Sequence, residues 1–361
     1  MPASIAERRL ARQLVSRTRL RRPEEVVAWL GAVQAQEYGP AKWALGLRLH
    51  RTAADADIER AFDDGRILRT HVMRPTWHFV TPTDIRWLLE LTAPRVHRVI
   101  ASYTRRLELD ARTLVRSTTV IERALRDRHY LTRGELRDRL GDAGLPVSGV
   151  RLAMVTIYAE LERVICSGPR RGRQFTYALV AERAPDARAL PRDEALATLV
   201  ARYFTSHGPA TIRDFVWWSG LTTADAKRGL EITAATREEA GGQTYWSVGP
   251  QPRAGAAPLA HLLPIYDEYL VAYRDRTAVP HVPAAAKDSG SSDPVTFRHS
   301  MIVAGQVAGT WRVRQDPESI LLDLIPLRPL KRTERLALEE AAELYRRFMK
   351  VEVAWWFHAH P

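Results

Sequence analysis

Apolar residues recur at helical spacing through most of the chain, and proline, glycine and capping residues punctuate the runs. Residues 5–19 predict a basic helix with Ile5, Leu10, Leu14 and Val15 on one side. Pro23-Glu24-Glu25 opens a second helix, with proline in its first turn and two acids beside the positive end of the dipole. Val26, Val27, Leu30 and Val33 are its apolar positions. Residues 41–49 predict a short third helix. A fourth is capped by Thr52, buries Ile58, Ala61 and Phe62, and closes at Gly65. Residues 67–73 and 76–81 then predict two strands around Arg74-Pro75. Helices followed by a two-stranded hairpin describe a winged helix.

The same order recurs twice. Residues 117–128 predict a helix, Thr132 caps the next with Glu135 completing a capping box, and a longer helix spans about 148–162. A hairpin over 165–177 carries Gly168-Pro169-Arg170-Arg171-Gly172-Arg173 at its tip. A third copy begins near Asp193 and ends in a hairpin around Glu239–Val248, with Gly241-Gly242 at the turn. The repeat is one of topology, not of residue identity. Residues 249–258 form a Pro/Gly/Ala linker. Beyond it, segments 262–273, 301–313, 318–327 and 351–358 predict strands and 331–349 an amphipathic helix, with a flexible loop at 280–295. The expectation is an α+β chain: winged-helix units over 1–112, 113–188 and 189–250, then a small β-barrel-like domain over 251–361.

Composition narrows the function. The 361 residues include 54 Lys+Arg and 42 Asp+Glu, giving a net charge of +12 and a pI near 10.2. Only five of the basic residues are lysine (42, 227, 287, 331 and 350), so arginine dominates. That bias accompanies a GC-rich genome, and it also suits bidentate contact with phosphate; a polyanionic partner accounts for the charge and its clustering. Cys166 is the sole cysteine, which excludes an internal disulfide and a thiolate zinc site and fits a reducing cytoplasm. The N-terminus lacks the apolar core of a signal peptide, and no stretch approaches the ~18 apolar residues that span a bilayer.

Familiar catalytic constellations are missing: no phosphate-cradling glycine loop, no Gly-x-Ser-x-Gly elbow and no His-Glu-x-x-His. Two polar pairs remain. Gln34-Ala35-Gln36 precedes Glu37-Tyr38-Gly39-Pro40, whose Gly-Pro is a breaker, so the pair belongs at a helix end or on a loop. In extended chain the two amides share a face. They donate and accept hydrogen bonds without titrating, so they hold a water but do not deprotonate it strongly, which suits an already activated substrate. Thr76 and His78 share a face of the predicted strand 76–81, with Trp77 and Phe79 on the other. A plain solvated strand face and an exposed loop are the alternatives for these pairs. His71 and His78 are the only close histidine pair here, and no further metal ligands accompany them. Arg170, Arg171 and Arg173 suit a phosphate or minor-groove contact, or form a solvated turn. Trp217-Trp218 and Trp355-Trp356 are assigned to the core.

Gln-Ala-Gln after an amphipathic helix, HVMRPTWHFVTP, LTRGELRDRL and LLPIYDEYLVAYRDR, in this order and spacing, resemble the AlkZ/YcaQ family of winged-helix DNA glycosylases over about residues 5–357. The resemblance implies three tandem winged-helix units around a basic concave channel, a C-terminal β-barrel, and excision of bulky N7-alkylguanine adducts, interstrand crosslinks included. It implies catalysis by Gln34 and Gln36, glutamine at the second position marking the antibiotic self-resistance branch. It also implies simple hydrolysis with no Schiff-base lysine, cofactor or metal.

An N7-alkylated guanine is cationic and departs neutral, so a strong general acid is unnecessary. What remains is to place a water beneath C1′ and to stabilise an oxocarbenium-like sugar, a task of orientation. On this reading Gln34 and Gln36 use their carboxamide oxygens, His71, Thr76 and His78 line the pocket, and Arg74 with the arginine-rich wing grips double-stranded DNA carrying alkylated purines. The wing at 168–174 and the loop at 280–295 are both candidates to probe the minor groove. A monomeric protein of the cytoplasm and nucleoid follows, with no membrane partner. The rival readings are a winged-helix transcription regulator, for which the sequence offers no dimerisation helix, and a protein that sequesters damage or drug without chemistry.

Overall fold

Three times along the chain a group of short helices runs into an antiparallel hairpin, and a five-stranded sheet follows. The computed structural model describes residues 4–16, 18, 20–50, 53–250, 258–278, 298–315 and 319–359. The first group comprises α1 (Ile5–Arg12), α2 (Pro23–Leu30), the short strand β1 (Val33–Gln34), α3 (Tyr38–Gly46), α4 (Asp55–Asp63), β2 (Leu68–His71) and β3 (Trp77–Val80). Ser4 and Glu7 form a capping box on α1, and Pro23 occupies the first turn of α2. α1 ends earlier than its apolar pattern suggests, with Leu14 in the left-handed region at φ 62°. The predicted Thr52 cap lies outside the described residues. At the start of α4, Asp57 accepts the backbone N–H of Ala54 at 2.8 Å.

α5 (Ile85–Arg106) has no counterpart among the predicted elements. Pro94 within it removes a backbone donor and argues against a continuous helix, yet burial of Trp87, Leu88, Leu91 and Val96 carries the helix through. The second group is α6 (Ala111–Leu125), β4 (Leu131–Thr132), α7 (Arg133–Asp142), α8 (Gly149–Leu161), β5 (Ile165–Ser167), β6 (Thr176–Leu179) and α9 (Val180–Arg183). The capping box at α7 is present: Thr132 Oγ1 accepts the Glu135 N–H, and Glu135 accepts the Thr132 N–H at 2.7 Å. The third group is α10 (Arg192–Ser206), α11 (Ile212–Ser219), α12 (Thr223–Ile232) and the hairpin β7 (Ala235–Ala240) with β8 (Gln243–Val248).

The last segment holds β9 (Ala260–Leu263), α13 (Glu268–Val271), β10 (Ser300–Val303), β11 (Gln306–Gln315), β12 (Ser319–Pro326), α14 (Arg332–Met349) and β13 (Glu352–Phe357). Its strands run in the order β13-β12-β11-β10-β9, an open, curled half-barrel sheet where a small β-barrel-like domain was expected. The strand predicted over 262–273 also needs correction. After Pro264, Tyr266 takes a left-handed φ of 61°, and Asp267 caps a turn of helix by accepting the Tyr269 N–H at 3.0 Å. The predicted loop at 280–295 and most of the linker lie outside the described residues.

Two apolar cores hold these pieces together. One gathers α5 with the second and third groups, and the other joins the first group to the terminal sheet and α14. The basic α1 is part of this frame. Arg9 donates to the Pro209 carbonyl at 2.8 Å and lies 3.7 Å from the Tyr273 ring centroid, and Arg12 donates to the carbonyls of Thr205 and Val248. Arg48 makes a buried two-pronged pair with Asp267 at 2.7 and 2.8 Å. Part of the arginine excess is therefore spent inside the fold. No helix among the described residues is long and apolar enough to cross a membrane.

Candidate active site

The first sheet has the strand order β1-β3-β2, and its register sets Gln34 beside His78 and His78 beside Thr70. Opposed residues of an antiparallel pair point to the same side, so these three form one polar row. Continuing the β1–β3 register sets Gln36 beside Thr76 in the next row. The Ala35 N–H bond to the Trp77 carbonyl at 2.7 Å keeps the segment extended up to that point. Gln34-Ala35-Gln36 thus leaves a two-residue strand, where a helix end or loop was expected, and Gln36 lies in the bend that follows, its side-chain oxygen bonding the Trp77 N–H.

Both carboxamides are fixed. Arg74 Nη2 donates to Gln34 Oε1 at 3.0 Å, and the Trp77 backbone N–H donates to Gln36 Oε1 at 3.2 Å. A guanidinium and a peptide N–H only donate, so each bond settles which end of the amide is oxygen. Each oxygen keeps one lone pair. Gln34 is nearly enclosed while Gln36 is exposed, so the row runs from the surface inward.

Several polar atoms around these amides are sealed from solvent and unpaired: Arg74 Nε, Thr76 Oγ1, His78 Nε2 and Thr70 Oγ1. Buried polar groups in folded proteins are nearly always satisfied by protein or water, so these four atoms are free to bond a water or a substrate group beside the two amides. His78 Nδ1 bonds the Thr76 carbonyl at 2.9 Å. A carbonyl only accepts, so Nδ1 carries the proton and Nε2 is left as an acceptor. Burial, then the charge of Arg74, pushes the His78 imidazolium pKa down to about 3, so the ring is neutral across the ordinary pH range. Burial likewise lowers the pKa of Arg74.

The loop that carries Arg74 is set by its neighbours. Met73 adopts a left-handed φ of 63°, and its N–H donates to Thr92 Oγ1 of α5 at 3.1 Å. From the third group, Gly220 ends α11 with φ 70°, and a Cβ there would lie 2.2 Å from the Met73 carbonyl oxygen. Only glycine permits that approach.

Beneath Gln34 lies Glu268 of α13, fully buried. Its Oε1 accepts the Gln34 backbone N–H at 2.9 Å, its Oε2 accepts Trp218 Nε1–H at 2.9 Å, and His207 Nε2 lies 3.4 Å from Oε2. Burial raises the carboxyl pKa, but His207, the Gln34 N–H and the charge of Arg74 outweigh it and hold the group below its usual range. The sequence reading overlooked Glu268; its signal was the adjacent acid pair Asp267-Glu268 inside an otherwise apolar run.

The remaining expected site residues are elsewhere. His71 pairs with Trp77, on the opposite face of the sheet from Gln34 and His78. Its Nδ1 lies 2.5 Å from Glu160 Oε2 of α8, and its ring packs 4.0 Å from that of Trp77. Arg170 is committed to Glu59 at 3.1 Å and stacks over Tyr38 and Phe175, so it docks the second hairpin onto the first group. Arg171, exposed, bonds Glu135 and the Tyr130 carbonyl. Arg173 is exposed at the tip. Of the tryptophans assigned to the core, Trp218 is buried, but Trp217 and Trp356 are exposed. Among the described residues no group of three or more His, Cys, Asp or Glu is placed to hold a metal ion.

A family model described as DNA glycosylase AlkZ-like matches residues 27–348. An interstrand DNA cross-link repair glycosylase of Streptomyces sahachiroi is 28% identical over 365 residues, covering 94% of each chain. The solved structure of the S. sahachiroi DNA glycosylase AlkZ superposes with a TM-score of 0.80 at 24% identity, over 99% of this chain and 100% of that one.

Proposed function

Because the chain belongs to the AlkZ-like family of DNA glycosylases, we propose that it hydrolyses the N-glycosidic bond of bulky N7-alkylguanine in duplex DNA. The relative's role in crosslink repair extends the candidate substrates to interstrand crosslinks, and self-resistance to a DNA-alkylating agent is the setting we infer. The observation that carries this reading is the polar row itself: two carboxamide oxygens held by fixed donors, each with a free lone pair, ringed by sealed and unpaired polar atoms.

The free lone pairs of Gln34 and Gln36 hold one water for attack at C1′. Glutamine is too weak a base to generate hydroxide, and none is needed. The cationic base already pulls electrons from the glycosidic bond and leaves neutral, so the barrier is met by placing the water and tolerating positive charge on the sugar. Thr76 Oγ1 and neutral His78 Nε2 extend the same face toward substrate or water. Arg74 grips the phosphate backbone beside the site, and Arg171 and Arg173 reach the duplex at the second hairpin. His71 supports the sheet from behind. The chemistry is simple hydrolysis by a monofunctional, metal-independent enzyme. Each helix group with its hairpin is a winged-helix unit, and the three units face one basic channel.

The test is base release from duplexes carrying a single N7-methylguanine or a nitrogen-mustard N7 adduct, followed by alkaline cleavage of abasic sites. Strand cleavage that depends on the adduct supports the reading. Tight binding to one unmodified sequence with no release would instead indicate a transcription regulator.

A further inference from the structure

We propose that Glu268 is a positioning residue for base excision, acting through Gln34; the proposal rests on the glycosylase reading above. The backbone shows why a partner is needed there. Ala35 sends its N–H to Trp77 across the β1–β3 ladder, so the N–H of Gln34 points off the sheet edge. An edge N–H in a sealed place must be satisfied. Glu268 does so at 2.9 Å, from 234 residues along the chain. It is held in turn by Trp218 at 2.9 Å, so the third helix group and the terminal segment together fix the main chain of Gln34. Arg74 fixes the other end of the same residue through its side-chain oxygen. Gln34 is thereby clamped at both ends.

Its charge is what lifts Glu268 above an ordinary cap. A neutral amide or hydroxyl would satisfy one N–H without the large cost of burying a carboxylate. The group facing Oε2 is a histidine, His207, 3.4 Å away and with its imidazolium disfavoured by burial, rather than a lysine or arginine. A negative group beneath Gln34 has the sign that favours positive charge developing on the sugar above it, and a low-dielectric surrounding strengthens that field. Glu268 touches no substrate: it holds Gln34 in place and supplies the field.

The test uses the full-length protein, single-turnover release from the N7-adduct duplexes, and DNA affinity and melting measured in parallel. In E268Q the shape is kept and the charge lost. The release rate should fall about 100-fold, the loss typical of one preorganised electrostatic contact, while the Kd for adducted duplex changes less than about threefold. Adding E268Q to Q34A should cost clearly less than E268Q costs alone, because the part of its effect that runs through Gln34 is already gone and only the field remains to be lost. Release at the wild-type rate, or losses that multiply in the double variant, would overturn the assignment, as would a fall in affinity equal to the fall in rate. Should E268Q fail to fold, Trp218→Phe removes the N–H that steadies Oε2 together with part of a buried ring, so its melting is read beside its rate. It should slow release about tenfold at unchanged Kd, and an unchanged rate overturns the proposal. A wild type inactive on every adduct would overturn the glycosylase reading beneath it.

Discussion

Gly220→Ala is the most informative single change outside the polar row. Gly220 ends α11 in the left-handed region at φ 70°, where a side chain costs roughly 1–2 kcal/mol. Its new Cβ would lie 2.2 Å from the Met73 carbonyl oxygen, against about 3.4 Å for an ordinary contact. The oxygen belongs to backbone, so the hairpin loop has to shift by about 1 Å. Met73 precedes Arg74, whose guanidinium holds the Gln34 oxygen at 3.0 Å, so the shift is delivered to the clamp. A displacement of that size at a reacting group costs on the order of 100-fold in rate. Melting should drop by a few degrees, since 1 kcal/mol corresponds to ~2–4 °C or less in a chain of this size. The assay is single-turnover base release beside thermal melting and duplex binding. A variant that melts lower yet excises at the wild-type rate would refute the idea that the third helix group sets the geometry of Arg74.

Further expectations follow from the same contacts. His71→Ala leaves the buried Glu160 carboxyl, whose pKa burial already raises, without its hydrogen-bond partner, so stability should fall by roughly 1–3 kcal/mol, while release by the folded fraction stays within a few-fold; denaturant melts and single-turnover rates check this. His78 has a folded pKa near 3, below that of the unfolded chain, so between about pH 6.5 and 3 the unfolded state binds the extra proton and stability falls as pH falls. His78→Gln should reduce that slope by about 1.4 kcal/mol per pH unit, read from urea melts at several pH values. Arg173→Ala should weaken duplex binding regardless of adduct and lower the salt slope of log K by about 0.9, the loss of one phosphate contact.

Much of the frame was legible because its signals are local. Pro23 in a first turn, and Thr132 with Glu135 three residues on, mark the starts of α2 and α7 where the structure has them. The polar pair Gln34 and Gln36 was visible, and the structure sets Gln34 in a strand beside His78 and Gln36 just beyond its end. What stayed hidden depends on distance along the chain. Pro94 disguises α5, whose continuity comes from the surface it buries. The apolar run around Asp267-Glu268 reads as a strand, and only the folded chain shows these acids facing Arg48 and Gln34, each more than 200 residues away. The parity of a strand was likewise not enough for His71. It lies in a strand of the same sheet as His78, but the β2–β3 register turns it to the other face. Charge counting could not foresee that Arg9, Arg48 and Arg170 serve the fold.

The most direct test of the central claim compares wild type with Gln34→Ala and Gln36→Ala on one N7-alkylguanine duplex, measuring single-turnover base release and equilibrium binding on the same preparations. The account predicts release lost by about 100-fold or more in each variant, with Kd nearly unchanged, because the amides place a water and do not hold the DNA. Release that persists in both variants, or binding that fails in step with it, would contradict the assignment of these two amides to the chemistry.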